Sequence, residues 1–106
     1  MDTVGAYARL NVAYTTAFVC SLIEFQVSYG TTANGNYSIA MGYNTNAKTY
    51  ASLVIGRYND TTGTANTTNW VLTEPVFVIG NGNSNTNRSN ILTVLKNGNM
   101  GIGTIH

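Results

Sequence analysis

The sequence predicts an all-β domain, a narrow solenoid of 14-residue coils followed by an antiparallel hairpin. Two segments, Tyr29 to Gly42 and Tyr43 to Gly56, superimpose without a gap at a spacing of 14 residues. Each ends in a period-2 run closed by glycine, the pattern of a strand with one apolar face. Near the C-terminus, Asn97-Gly98 separates two further alternating runs, a strong short-range hairpin signal.

Composition bounds the rest. A chain of 106 residues and 11.3 kDa holds one core. Only 8% of residues are charged, against roughly 25% in an average soluble domain. The polar surface is built instead from 15 Asn, 16 Thr and 11 Gly. Five Lys and Arg with a net charge of +1 make no basic stripe, which argues against nucleic-acid binding. A 43% hydrophobic fraction with seven Tyr excludes disorder by composition. Cys20 and His106 are single, so no disulfide, metal site or cofactor is expected. Asp2, Glu24, Asp60 and Glu74 are scattered and no Ser/His/Asp spacing occurs, so the chain is read as a non-enzyme.

Residues 1–28 form a first segment of unassigned role. The weakly polar stretch Val12 to Ile23 is shorter than the roughly 20 apolar residues of a membrane span, so no membrane insertion is expected. The start lacks the basic residues and cleavage pattern of a signal peptide. Val12, Val19 and Ile23 fit a helical face, but the runs Val12 to Val19 and Glu24 to Val27 fit strands, and strand is preferred. Cys20, with no basic neighbour, reads as a small buried hydrophobe.

Residues 29–56 carry the repeat. Identical pairs are Tyr29/Tyr43, Thr31/Thr45, Ala33/Ala47, Ser38/Ser52 and Gly42/Gly56. Stacked coils sit about 4.8 Å apart, and each hydrogen-bonds the next. Small Ser38, Ala40, Ser52 and Val54 suit the tight interior. Bulky Ile39, Met41, Leu53 and Ile55 then fall on the other face and need a second surface. Two coils are fewer than the roughly three an isolated solenoid requires, and self-association supplies that surface.

Residues 57–106 form the third segment. Arg57 to Asn69 reads as a polar loop around Asn59-Asp60-Thr61-Thr62-Gly63. Val76 to Ile79 is a strand entered through Glu74-Pro75, where proline removes no ladder bond. Asn-rich Asn81 to Asn90 is a loop. Ile91 to Leu95 and Met100 to Gly103 pair antiparallel across Asn97-Gly98, read as a two-residue turn of type I′.

The segments SIAMG and SLVIG, each following a T-x-A turn, resemble the SxAxG head repeats of trimeric autotransporter adhesins of the YadA type. The second unit departs from that pattern at Val54. The segment EPVFVIGNGNSNTNRSNILTVLKNGNMGIGT is similar to stretches that follow head repeats in bacterial surface and phage-tail-fibre-like proteins, with Glu74 and Met100 as departures. The resemblance covers about residues 28 to 104. It implies an intertwined homotrimer in which residues 29–56 form a short parallel β-roll and the later hairpin or meander forms a neck. It also implies a structural or adhesive role in a surface fibre. A fibre component is extracellular or cell-surface, whereas a stand-alone chain without a signal peptide is cytoplasmic.

On this reading Ile39, Met41, Leu53, Ile55, Phe77 and Ile79 pack the trimer or core. The loops Arg57 to Asn69 and Asn81 to Asn90 face a host or cell-surface glycan or protein. Tyr29 and Tyr43 stack in adjacent coils, which is first a structural device. The alternative function is a soluble glycan- or small-molecule-binding β-protein whose pocket is lined by Trp70 and tyrosines such as Tyr29 and Tyr43. Arg88 and Lys96 are candidates for weak ion pairs with Glu74 or Asp60 of a neighbouring chain.

Overall fold

The computed structural model describes residues 25–103. The readings of Val12 to Val19 as a strand and of Cys20 as a buried hydrophobe fall outside these residues. The described chain is all-β, with eight strands in two sheets and no helix.

The 14-residue spacing of the sequence is the hydrogen-bonding register of the structure. Strands β1 (Phe25–Tyr29), β3 (Ile39–Tyr43) and β5 (Leu53–Arg57) run parallel, with Phe25 opposite Ile39 and Ile39 opposite Leu53. Two short strands, β2 (Thr32–Ala33) and β4 (Asn46–Ala47), pair in parallel as a second sheet at the same spacing. Each turn of chain therefore contributes one strand to each sheet. The repeat also reaches one strand further toward the N-terminus than the SxAxG pattern does.

Strand β6 (Pro75–Asn81) pairs parallel to β5, with Leu53 opposite Phe77. That separation is 24 residues, one coil of 14 plus an insertion of ten. Only then does the sheet become antiparallel, through β7 (Asn90–Leu95) and β8 (Met100–Ile102), giving the order β1-β3-β5-β6-β7-β8. Pro75 is the first residue of β6, where its missing N–H interrupts no ladder. The Asn81 to Asn90 connection is a structured tip, with Asn83 N–H donating to Asn87 O at 3.1 Å and Asn87 N–H to Ser84 O at 3.0 Å.

The final hairpin forms, but its turn is not type I′. Gly98 N–H donates to Leu95 O at 2.9 Å and Leu95 N–H to Asn99 O at 2.8 Å. Gly98 has φ 96°, while Asn97 is absent from the positive-φ residues. A type I′ turn needs positive φ at both central residues; this connection is a type I turn over Lys96-Asn97 followed by a left-handed glycine, the three-residue alternative. The Asn97 carboxamide holds that geometry by accepting the Asn99 N–H at 2.9 Å.

The space between the sheets accepts only small side chains. Ala33 and Ala47 from the short strands meet Ala40, Val54 and Val78 from the long ones, and Ser38, Thr45 and Ser52 are buried with them. Two of the polar members bond inside the coil, Ser52 Oγ donating to Thr49 O at 2.8 Å and Thr45 Oγ1 to Met41 O at 3.2 Å, while the Ser38 hydroxyl has no partner.

The corners repeat at the same interval. Gly30, Asn44 and Tyr58 have φ of 69°, 53° and 41°, and Tyr37 and Ala51 have 62° and 54°. Gly42 and Gly56 form a stricter column. A Cβ on Gly42 would lie 2.0 Å from Gly56 O, and one on Gly56 would lie 2.3 Å from Gly80 O. Their positive φ values of 116° and 99° add a second reason for glycine.

The second sheet has no third strand among the described residues, and a side chain takes its place. Asn59 is 2% exposed; its Oδ1 accepts the Asn46 N–H at 2.7 Å and its Nδ2 donates to Asn46 O at 3.0 Å. A carboxamide carries the same donor and acceptor as a peptide unit, so Asn59 caps both backbone groups of Asn46. Asn90 does half of this: its Oδ1 accepts the Asp60 N–H at 2.7 Å, while its Nδ2 donates to a side chain, Thr93 Oγ1, at 3.0 Å.

Replacing Gly56 with Ala combines a backbone clash with a disfavoured φ and is expected to cost about 2–4 kcal/mol, read as a lower urea midpoint. Asn59→Ala leaves both Asn46 groups unpaired and is expected to cost about 2 kcal/mol, with hydrogen exchange at the Asn46 amide accelerating more than at Ile55.

Candidate functional site

The alternation that sends small residues inward leaves the bulky ones on the opposite face of the six-stranded sheet. Register aligns them in two rows. Ile39, Leu53, Phe77, Val94 and Met100 form the first; Met41, Ile55, Ile79, Leu92 and Ile102 form the second. Strand β1 continues the sheet beyond these rows, with Phe25 paired to Ile39 and Val27 to Met41. Neighbouring side chains shield one another, so the inner members are half-buried. At the β8 edge Met100 and Ile102 are 61% and 74% exposed. A contiguous apolar face bordered by polar residues is the kind of surface that marks an interaction site.

A third row of different chemistry borders the apolar two. It consists of the last residues of four parallel strands, Tyr29, Tyr43, Arg57 and Asn81, which are successive register partners. The Tyr29 and Tyr43 rings stack with centroids 5.5 Å apart and planes 17° apart, and Tyr43 meets Tyr58 edge-on, also at 5.5 Å. Asn44 Nδ2 donates to Tyr58 Oη at 3.2 Å. The Arg88 guanidinium lies 5.4 Å from the Tyr58 ring centre and donates to the carbonyls of Asn44 and Asn59, each at 3.2 Å. Partial burial, followed by the neighbouring Tyr43 phenol, raises the Tyr58 pKa, while Arg88 and Arg57 oppose the shift. Both cations therefore act at this end of the strands.

Trp70 lies elsewhere. It sits in the insertion, 51% exposed, with Lys96 Nζ 5.3 Å from its ring centre. Lys96 Nζ donates to Pro75 O at 3.2 Å, and burial lowers the Lys96 pKa against an opposing effect of Glu74. Pro75 begins β6, whereas the tyrosine row marks strand ends. The structure brings Tyr29 and Tyr43 together but does not bring Trp70 to them. Neither the partly open hollow of about 50 Å³ beside Thr61 to Ala65 nor the open depression of about 370 Å³ beside Glu74 is lined by any of these three residues. Trp70 therefore shares neither of these two hollows with Tyr29 or Tyr43.

The two loops are tied down within the chain. Lys48 Nζ donates to Thr61 O at 2.7 Å, and the Glu74 carboxylate accepts the Asn66 N–H at 3.0 and 3.1 Å. Arg88 Nη2 donates to Asn85 Oδ1 at 2.9 Å. Arg88 and Lys96 thus use their donors on neighbouring carbonyls and an amide of the same chain.

Arg57 and Asn81 are the members of the third row that sequence reasoning did not single out. Arg57, the first residue of the loop read from the sequence, is instead the last of β5, and its distance of 14 from Tyr43 is the signal that identifies it. Asn81 carries no such signal, because the ten-residue insertion hides its register. Among the described residues no group of three or more His, Cys, Asp or Glu is placed to hold a metal ion, and no helix is long and apolar enough to cross a membrane. No protein-family model matches the chain, and no similar protein was found among curated sequences or solved structures.

Tyr43 is the ring that both Tyr29 and Tyr58 contact. Tyr43→Ala is expected to lower stability by about 1–2 kcal/mol, read as a drop in melting temperature of roughly 5–10 °C, whereas Tyr29→Ala removes one contact and about half as much.

Proposed function

We propose that the chain is a structural and adhesive module that assembles as a homotrimer. In this reading the parallel coils form a short β-roll, and β6 to β8 form an interlocking neck-like meander. The observation that carries it is the pair of apolar rows. The buried apolar residues of the described core are three alanines and two valines, Ala33, Ala40, Ala47, Val54 and Val78. The large side chains Ile39, Met41, Leu53, Ile55, Phe77 and Ile79 lie half-exposed on the outer face. At about 25 cal/mol per Å² of apolar area removed from water, that face is the largest unused source of stabilisation in the chain. Matching copies of it satisfy a symmetric assembly. The number three comes from the resemblance of SIAMG and SLVIG to trimeric head repeats.

The role that follows is non-enzymatic: holding a cell-surface or tail-fibre-like assembly together and displaying its polar edges and loops to a surface glycan or protein. An extracellular or cell-surface location goes with this role. The reading requires no cofactor or nucleic acid.

Light scattering on a size-exclusion column tests assembly. The expected mass is about 34 kDa, three times 11.3 kDa. Ile55→Asp places a carboxylate in the middle of the second row and is expected to reduce the mass to that of one chain or unfold it, while the same substitution at exposed Thr62 leaves the mass unchanged. A parent mass near 11.3 kDa, or an Ile55→Asp variant with the parent's mass and melting curve, refutes the assembly.

A further inference from the structure

We propose that the row Tyr29, Tyr43, Arg57 and Asn81 is a binding track for an acidic oligosaccharide, a chain of pyranose rings bearing carboxylate or sulfate groups. The proposal names a ligand for the adhesive reading and rests on that reading for its biological purpose. Its chemistry lies within one chain, so binding and assembly fail separately.

Three observations converge on this row. First, the aromatic surface is accessible and fixed: Tyr29 is 70% exposed and Tyr43 44%, and their stacking holds both rings in place. An ordered tyrosine offers an apolar face and a hydroxyl at little entropic cost, which suits the mixed C–H and hydroxyl surface of a sugar. Second, Arg57 follows on the next rung, exposed and with no hydrogen-bond or ion-pair partner among the described residues. The described acids are engaged elsewhere: Asp60 Oδ1 accepts from Thr62 N–H and Oγ1 at 2.9 and 2.8 Å, and Glu74 accepts from Asn66. A guanidinium one rung from the tyrosine pair recognises a planar carboxylate or a sulfate by paired N–H donors. Third, Asn81 ends the row. Its Oδ1 is taken by Ser89 Oγ at 2.6 Å, which orients its Nδ2 donors for an incoming hydroxyl.

Spacing sets the size of ligand. Rungs about 4.8 Å apart place Tyr29 and Arg57 roughly 10 Å from each other, a separation that linked sugar rings bridge and a lone anion does not. Trp70, at the other end of the strands, takes no part.

Chemical-shift titration of the protein, at the molar mass light scattering gives it, tests the proposal. The probes are a heparin-derived hexasaccharide and sialyllactose, with neutral maltohexaose and inorganic sulfate as controls. At least one acidic saccharide is expected to saturate, moving the amides of Tyr29, Tyr43 and Arg57. Arg57→Gln is expected to weaken it about tenfold, and Lys48→Gln, with the same change of net charge, less than twofold. Retained melting behaviour of Arg57→Gln excludes misfolding as the cause. The proposal is overturned if neither acidic saccharide saturates, if the shifts map away from this row, if maltohexaose or sulfate binds as tightly, or if the two variants weaken binding equally. Binding by a monomer would uphold this site while the trimer fails; a trimer that binds neither acidic saccharide would do the reverse.

Discussion

From β1 to β5 the structure depends on residue n lying directly beside residue n+14. A parallel register stacks like on like, so whatever chemistry occupies a position forms a column rather than a point. A column of small side chains makes a thin interior, and a column of glycines lets the backbones of Gly42, Gly56 and Gly80 approach. Columns of branched and aromatic residues make an outer face. Left-handed corners also recur, with Asn44 and Tyr58 sharing one site and Tyr37 and Ala51 another. The backbone is thus periodic even where the side chains are not.

The price of a thin interior is that it buries little. Thr45 and Ser38 are the largest side chains fully enclosed, so the apolar groups that would fill the core of a thicker domain lie outside. This inversion links packing to function: the groups that stabilise the fold least as a monomer are the ones available for association. Termination is handled by hydrogen bonding. The buried Asn59 amide stands where the peptide unit of a further coil would pair with Asn46, and the buried Asn90 carboxamide accepts one backbone N–H, that of Asp60. The abundance of Asn, which in composition looks like mere polarity, has here a specific backbone-mimicking use.

How much of this the sequence discloses depends on whether two repeats stand side by side. Between residues 29 and 56 they do, and the inward set of Ser38, Ala40, Ser52 and Val54 is legible from alternation alone. At β1 Gln26 and Ser28 pair with Ala40 and Gly42, so the small-residue signature of the repeat is missing while the pairing persists. At β6 the ten inserted residues break the count, and a parallel neighbour of β5 looks like an independent strand. The hairpin was legible as an element, but Asn97-Gly98 suits two turn geometries. The carboxamide of Asn97 and the one left-handed residue, Gly98, select the three-residue form. Of the candidate surfaces, the outer apolar residues followed from periodicity, whereas the separation of Trp70 from the tyrosines followed from which end of β6 each adjoins.

The amide cap of Asn59 makes length a free variable. Because the Asn59 carboxamide caps the last short strand and because the joints from β1 to β3 and from β3 to β5 share one 14-residue register, a 14-residue unit inserted after Gly42 would disturb neither the cap nor the hairpin. Each such unit would add one rung to the apolar rows and one to the tyrosine row together. Reach and contact area could therefore change in small equal steps by tandem duplication, with no new solution to folding required at any step.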